Sequence, residues 1–596
     1  MSQHKEYQTQ QDLASTSKAL MGSYLNALSV MQDNIKVHHA NWQDIFNLEH
    51  VYKHWFSDLT RSPEKISQAQ SHFWQDYFRL GQILQEMMQG KKPLPLIEPD
   101  HHDKRFRSSA WHEDPYFFFL QQSYLLMVKH FTHFIQENKS KDPKIARQVS
   151  FFSRQVLDAI SPTNFMFSNP DAIKHFIETK GESFFQGYKN LLDDIADGNG
   201  QLVMKMSDKS AFTVGENIAV TPGKIIFQNE LFQLIQYSPS TASVYQRPLL
   251  IVPPWINKYY ILDLKEKNSF VKWVVDQGYT VFMISWVNPG VEHRDTTFDD
   301  YVIKGILAAL DAITLATNEK EINALGFCIG GTLLATTLAY MKEKQDNRIV
   351  STTFLTTLID FTDPGEIEVF IDEPQLKSLE RKIHRDGYLD GRVLMATFNM
   401  LRENDLIWPY YVNNYLCGKN PVAFDMLYWN ADCVNLPEKM LSFYLRNMYL
   451  NNLLIQEGGL CINGVDIDIS KIDIPAYFLS TEQDHIAPWQ TTFMGAVFLT
   501  GPTTFVLGGS GHIAGVVNPP SGSKYGYHYS QEDVKQFMTP QDWLANSEQA
   551  SGSWWEHWHD WLKSYAGKEV KARVPGEGKL PALQDAPGDY VKKSAH

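Results

Sequence analysis

Residues 324–335 read ALGFCIGGTLLA, and their chemistry centres on one cysteine. Gly326-Phe327-Cys328-Ile329-Gly330 is a G-x-C-x-G pattern that closes an apolar run and opens a helix-forming one. A strand, a sharp turn and a helix in that order make a nucleophile elbow, which presents its central side chain at the turn. The turn strains its central residue, so the positions two before and two after must be small where strand and helix backbones approach. Gly326 and Gly330 meet that need. A serine is the usual occupant of the centre, and here a thiol takes its place.

A cysteine at an elbow needs a base, and the base needs an orienting acid. On this arrangement the chain order is nucleophile, acid, histidine, with the last two in loops after late strands. The segment FLSTEQDHIAPW puts Asp484 just after an apolar strand run, and FVLGGSGHIAGVVNPP puts His512 in a glycine-rich turn after the next one. The first interval is long enough for an inserted subdomain and the second for one short crossover. Taken singly, a buried Cys packs, an Asp at a strand end forms a turn, and a His after glycines is solvated. The ordered set on the right elements makes Cys328, Asp484 and His512 the candidate triad. His485 is a competing imidazole, but adjacent residues rarely form an acid–base pair, so it is assigned to the surroundings of the substrate pocket. Cys417, Cys433 and Cys461 lack an elbow and are taken as structural.

An oxyanion site needs two backbone N–H groups, one from Ile329 after the nucleophile and one from the loop after an early strand. LLIVPPWINKYYILDL is that strand and loop. Pro253 and Pro254 have no N–H to give, which leaves Trp255, Ile256 and Asn257, with Ile256 carried forward as the donor and Asn257 as a pocket residue.

These residues must be positioned by a large scaffold. The chain has 596 residues, 43% hydrophobic and 20% charged, which indicates globular folding in two domains. A formal net charge of -14 leaves no basic surplus for nucleic acid as a general partner. Four cysteines show neither a disulfide framework nor a C-x-x-C metal pair, and His557 and His559 are wrongly spaced for a helical one, so no metal is expected. The first twenty residues have no apolar segment after a basic start, and no apolar run reaches membrane-spanning length. A cytoplasmic protein without a transmembrane segment is the expectation.

Residues 1–200 read as a helical domain, rich in Gln, His and aromatics. Within 114–135, Tyr116, Phe119, Leu120, Tyr124, Met127, Val128, Phe131 and Ile135 recur at helical spacing, widened by Phe117, Phe118 and Phe134, which predicts a helix packed on another surface. From 201 to 596, β-like runs such as KIIFQNELFQLIQY, RPLLIVPPWI, YTVFMISWV, EINALGF, IVSTTFLTTLID, IPAYFLSTEQD and TTFVLGGSGH alternate with helix-like segments. That pattern predicts an α/β domain with a mostly parallel sheet. Residues 365–460 read as an aromatic, loop-like insertion that would cap the active site. In WWEHWHDWL, Trp554, Trp558, Trp561 and Leu562 share one helical face.

Together, GFCIGGT, VPPWINKYYILDL, STEQDHIAPW, GGSGHIAGVVNPP and SGSWWEHWHDWL resemble the polyhydroxyalkanoate synthases, class I by length and by the long N-terminal region. RFRSSAWHEDPYF, DAISPTNFMFSNPDA and GENIAVTPGKIIFQNELFQLIQY extend the resemblance from about residue 105 onward. It implies an α/β-hydrolase fold with a capping subdomain, the site Cys328, His512 and Asp484, and (R)-3-hydroxyacyl-CoA as substrate, 3-hydroxybutyryl-CoA and similar short units included. CoA is then a leaving group and not a cofactor. The resemblance also implies a homodimer on polyhydroxyalkanoate granules, with the growing polyester chain and phasin-type granule proteins as partners, and Ala514 in the acyl pocket. The elongating hydroxyl would be deprotonated by His512 backed by Asp484, or by Asp484 directly. The rival is a cysteine hydrolase of the same fold or an intracellular polyester depolymerase.

Overall fold

The computed structural model describes residues 51–55, 63–92, 94–101, 103–522 and 524–594. The reading of the first fifty residues as part of a helical domain lies outside them. The chain divides into two compact units, one of residues 1–208 with 399–423 and the other of 209–398 with 424–596.

In the first unit the chain forms α1 (Pro63–Met88), α2 (Pro115–Glu137), α3 (Pro143–Ala159), α4 (Pro170–Glu178) and α5 (Glu182–Asp197). α2 starts where its sequence says it should: Pro115 stands at the first turn, and the Asp114 carboxylate accepts from the Tyr116 and Phe117 N–H groups. Its buried face differs from the expected stripe. Phe118, Tyr124, Leu126 and Ile135 are covered together with Gln121 and Gln122, whereas Tyr116 and Phe131 are exposed. Two buried glutamines on that face are why periodicity of apolar residues alone misplaced it.

Residues 399–423 belong to this helical unit and not to a continuous cap over 365–460. The Tyr415 hydroxyl donates to Asp194 Oδ2 at 2.6 Å, and Asn190 Nδ2 donates to the Asn414 carbonyl at 3.0 Å. A Cβ on Gly187 would come within 2.0 Å of the Tyr415 carbonyl oxygen, so α5 can meet this segment only with a glycine there.

The second unit is built on an eleven-stranded sheet. Its strands are β1 (Gly223–Gln228), β2 (Phe232–Tyr237), β3 (Leu249–Val252), β4 (Val281–Trp286), β5 (Ile322–Phe327), β6 (Ile349–Leu355), β7 (Ala476–Thr481), β8 (Thr503–Gly508), β9 (Tyr527–Tyr529), β10 (Glu548–Ala550) and β11 (Gln584–Asp585). They lie in the order β10-β9-β8-β7-β6-β5-β3-β4-β2-β1-β11. β4, β3, β5, β6, β7 and β8 are mutually parallel, and antiparallel strands extend both edges. Both faces of the parallel part are covered, so LLIV in β3 is buried at every position, Leu250 and Val252 in one core cluster and Leu249 and Ile251 in the other. Each such side chain contributes about 1.5–3 kcal/mol. β11 is a tail segment too short and polar to be recognised from sequence.

The insertion between β6 and β7 is mostly helical, not loop-like. In this unit it contains α6 (Glu373–Asp386), α7 (Asp425–Ala431), α8 (Glu438–Tyr444) and a π-helical turn over Leu445–Leu450. Its short aromatic helices, broken by Pro and Gly, lack the length that makes helical periodicity legible. No helix among the described residues is long and apolar enough to cross a membrane.

Candidate active site

β5 ends at Phe327 and the next helix, α-Ile329–Glu343, begins one residue after Cys328. Cys328 itself has φ 54° and ψ −126°, a conformation that costs a non-glycine residue on the order of 1–3 kcal/mol. The surroundings hold it there. Its N–H donates to the Leu355 carbonyl on β6 at 2.9 Å, and its carbonyl accepts from Gly331 N–H at 2.9 Å. A Cβ on Gly326 would lie 2.4 Å from Gly331 Cα, and one on Gly330 would lie 2.3 Å from the Val252 carbonyl oxygen. Gly331, which sequence reasoning passed over, is equally confined, 2.0 Å from Thr357 Oγ1 by the same measure. The elbow therefore brings the helix start against the end of β3.

That contact positions the oxyanion candidates. Ile329 is the first residue of that helix, so its N–H has no carbonyl of an earlier helical turn to bond. The loop after β3 passes beside it, as the closeness of Gly330 to Val252 and Pro253 requires. Trp286 Nε1 donates to the Pro253 carbonyl at 2.9 Å, and a backbone bridge pairs Asn257 with Cys433. Next to it Lys258 is buried in an ion pair with Asp432 at 2.8 Å, and Tyr260 donates to the other Asp432 oxygen at 2.7 Å. Ile256 sits between these two anchors and is partly buried.

Asp484 follows β7 and His512 follows β8, and the two meet. His512 Nδ1 lies 2.7 Å from Asp484 Oδ2. The other carboxylate oxygen, Oδ1, accepts from the N–H groups of Ile486 and Ala487, both at 2.9 Å. The carboxylate is thus fixed by its own turn before it holds the imidazole. His512 is buried, its ring stacked on Phe327 at 5.7 Å between centroids, and Cys328 acts on it electrostatically. Burial works to lower its pKa, but Asp484 and the Cys328 sulfur outweigh burial and hold it up at about 10.

The loop beyond His512 is held from outside by the C-terminal helix over Trp554–Lys563. Trp554 Nε1 donates to the Gly515 carbonyl at 3.0 Å, and Trp555 Nε1 donates to the Val516 carbonyl at 2.9 Å. Trp555 is buried where the expected face named Trp561, which is only partly buried. His557 and His559 each face a tyrosine hydroxyl, of Tyr477 and Tyr279. Ala514 and His485 flank the triad in sequence and are partly exposed. Cys417 and Cys433 are buried, while Cys461 is exposed. Two tyrosines that no motif marks, Tyr444 and Tyr449, lie within electrostatic reach of Cys328.

A parallel sheet with an elbow after β5, an acid after β7 and a histidine after β8 defines an α/β-hydrolase fold, and residues 249–519 match the family description "alpha/beta hydrolase fold". Residues 102–274 match "Poly-beta-hydroxybutyrate polymerase (PhaC) N-terminus". The chain is 46% identical to a poly(3-hydroxyalkanoate) polymerase of Methylorubrum extorquens, over 92% of this chain and 89% of that one. It is 44% identical to the corresponding polymerase subunit PhaC of Rhizobium etli, over 91% and 85%, and 40% identical to that of Cupriavidus necator, over 90% and 89%. The chain belongs to the poly(3-hydroxyalkanoate) polymerase family.

Proposed function

We propose that this protein polymerises (R)-3-hydroxyacyl-CoA into polyester with release of CoA, and that the acyl group passes through a thioester on Cys328. The observation that carries the mechanism is the buried His512, held by Asp484 at 2.7 Å and acted on electrostatically by a cysteine at positive φ.

The proton can be followed through a complete cycle. His512 first takes the proton of the Cys328 thiol, which leaves a thiolate beside an imidazolium. The sulfur attacks the CoA thioester, and the oxyanion is held by N–H groups of Ile329 and the Ile256 loop. When the C–S bond to CoA breaks, His512 gives its proton to the departing sulfur and becomes neutral. Acylation has by then removed the negative charge on Cys328, one of the two that held the imidazole protonated, so His512 can act as base. It takes the proton of an incoming 3-hydroxyl, the alkoxide attacks the acyl-Cys328 thioester, and the thiolate and imidazolium are restored. Both Asp484 oxygens are occupied, Oδ1 by two N–H groups and Oδ2 by His512, which favours His512 over Asp484 as the direct base.

A thiol also suits the energetics. Exchange of one thioester for another costs little, whereas transfer to serine would give a more stable oxygen ester, so the acyl group stays activated for elongation. Burial of the base limits water, the competing nucleophile.

The helical unit carries the remaining roles in this proposal: homodimer formation, contact with phasin-type proteins and attachment to the granule surface in the cytoplasm. Exposed Phe165, Phe167, Phe176, Ile177, Phe184 and Phe185, with Phe167 83% exposed, support contact with an apolar surface. Ala514, Asn257 and His485 are proposed to line the acyl pocket.

The test is thiol release from (R)-3-hydroxybutyryl-CoA by wild type and Cys328→Ala, with turbidity followed in the same cuvette. Both signals should rise in wild type alone. Thiol release without turbidity would indicate a hydrolase, and equal release by the variant would remove Cys328 from the reaction.

A further inference from the structure

A substrate carried on CoA brings a diphosphate and a 3′-phosphate, the latter alone close to −2 at neutral pH. It meets a chain whose net charge is -14, so it needs a local basic surface to settle on. The insertion between β6 and β7 offers one. An open cavity of about 550 Å³, a size ordinary for a small-molecule site, lies between α6 and α8. One wall is a single face of α6, where Lys377, Arg381 and His384 follow at helical spacing. The other is the start of α8, with Lys439, Ser442 and Phe443.

The carboxylates around this cavity are already engaged. Glu380 receives Arg446 Nε at 2.6 Å on one oxygen and Arg446 Nη2 at 2.7 Å on the other, and the Ser442 hydroxyl donates to the first. Glu438 receives Arg294 Nη2 at 3.0 Å, and His384 Nδ1 lies 2.6 Å from its other oxygen. The cations are not matched in the same way. Arg381 is exposed and forms no ion pair among the described residues. Lys439 is held only by an exposed pair with Asp295 at 2.7 Å, and Lys377 shares Glu373, at 3.1 Å, with Arg446. Exposed pairs of this kind contribute little, so a phosphate can take the place of the carboxylate. The cavity is also close to the loop that serves the oxyanion. Phe443 stacks on Phe298 at 5.3 Å between centroids, and Phe298 meets Trp255, the residue before Ile256, edge-on at 6.4 Å. Two ring contacts are a short path for the pantetheine arm between the CoA sulfur and its phosphates, which reaches ~15 Å at the rise of an extended chain.

We infer that the cavity between α6 and α8 binds the phosphate end of CoA, its 3′-phosphoadenosine diphosphate, with Arg381, Lys377 and Lys439 as the cations. The inference rests on CoA thioesters being the substrate. Arg381 meets a phosphate with parallel N–H donors, and the two lysines add charge from either wall. These residues act on substrate binding and take no part in bond making.

The test compares thiol release from the (R)-3-hydroxybutyryl thioesters of CoA and of pantetheine, which keeps the arm and lacks every phosphate. Wild type should show the higher kcat/KM with the CoA thioester. In Arg381→Ala that advantage should shrink roughly tenfold, through KM and not kcat, and it should shrink further when Lys377→Ala is added. Arg381→Lys, which keeps the charge, should restore part of it. An advantage unchanged in the double variant would overturn the inference. Equal losses with both thioesters would also overturn it, because they would mean that Arg381 only supports α6. Adenosine 3′,5′-bisphosphate separates the CoA phosphates from a free nucleotide. It should compete with the CoA thioester in wild type and lose potency in Arg381→Ala, whereas binding without competition would make this a nucleotide site apart from the reaction and refute the assignment. If wild type releases no thiol from either thioester, the proposed activity itself fails and takes this inference with it; normal turnover with an unaltered ratio in the variants faults the cavity alone.

Discussion

Replacing Asp484 with asparagine should disable loading as well as elongation, because the turn that holds the carboxylate dictates how the amide must sit. Oδ1 accepts from the Ile486 and Ala487 N–H groups, each at 2.9 Å, and only an oxygen can serve there. The amide oxygen will take that place, which turns the NH2 toward His512 at the 2.7 Å position now filled by Oδ2. A donor facing Nδ1 makes Nδ1 an acceptor and puts the imidazole proton on Nε2, the tautomer that cannot take a proton from Cys328 or from a hydroxyl. In a Ser-His-Asp site the same exchange costs about 10⁴-fold through this tautomer trap. Here thiol release should fall on the order of 10³–10⁴-fold, in the first turnover as well as in the steady state.

The same contact sets a pH dependence of stability. His512 is raised from 6.5 to about 10, so the stabilisation contributed by the ion pair is fully present below pH 6.5 and is lost as pH rises through 10. In Asp484→Asn that contribution is missing. The gap in Tm between wild type and variant should therefore be wide at pH 7 and shrink as pH approaches and passes 10. Thiol-release bursts by stopped flow and melts from pH 7 to 10.5 measure both effects. A variant with a normal first burst and slow elongation would refute the tautomer argument and return Asp484 to the role of direct base. A Tm gap constant with pH would refute the ion pair.

Cys328→Ser should fold as wild type by circular dichroism and lose nearly all thiol release, because a hydroxyl yields its proton to His512 far less readily than a thiol and is the weaker nucleophile. Gly330→Ala puts a Cβ 2.3 Å from the Val252 carbonyl oxygen, and neither backbone can yield, so it should cost more than about 3 kcal/mol in denaturant unfolding or fail to accumulate as soluble protein. Lys258→Met removes the cation from the partly buried Asp432, which keeps its hydrogen bond from Tyr260; a loss of about 1–3 kcal/mol is expected, with a lower kcat because the Ile256 loop loses an anchor. Urea titration and steady-state thiol release test that pair of effects.

The parts of the site that were legible in the sequence are those where chemistry restricts both residue type and spacing. Gly326 and Gly330 announce the elbow because a Cβ at either would lie only 2.4 Å and 2.3 Å from backbone atoms, which excludes any side chain. Asp484 and His512 stand at the ends of apolar strands, and the alternation of strands and helices orders them. Sequence patterns do not reveal partners that act through a single atom. Tyr444 and Tyr449, which act electrostatically with Cys328, read as two aromatics in an aromatic-rich insertion. Trp554 and Trp555 read as packing, although their indole N–H groups hold the loop beyond His512. Assignment of 399–423 to the helical unit was illegible for a related reason: it depends on Tyr415 reaching Asp194, two residues more than two hundred positions apart.

Burial of His512 would be a liability in a hydrolase that had to charge and discharge it against water, but in the proposed cycle the proton never needs to leave the site except on CoA. The imidazolium is created beside a thiolate, spends its proton on the departing thiol, and regains one from the attacking hydroxyl. At each stage the charge on His512 is matched to the charge on Cys328, so the pair stays close to neutral overall while Asp484 supplies a constant field. Water has no step to perform in this cycle, and a site that excludes it loses nothing. On the proposed mechanism the cysteine, the buried base and the doubly held carboxylate are one solution to one requirement, an acyl group that is handed on and not released.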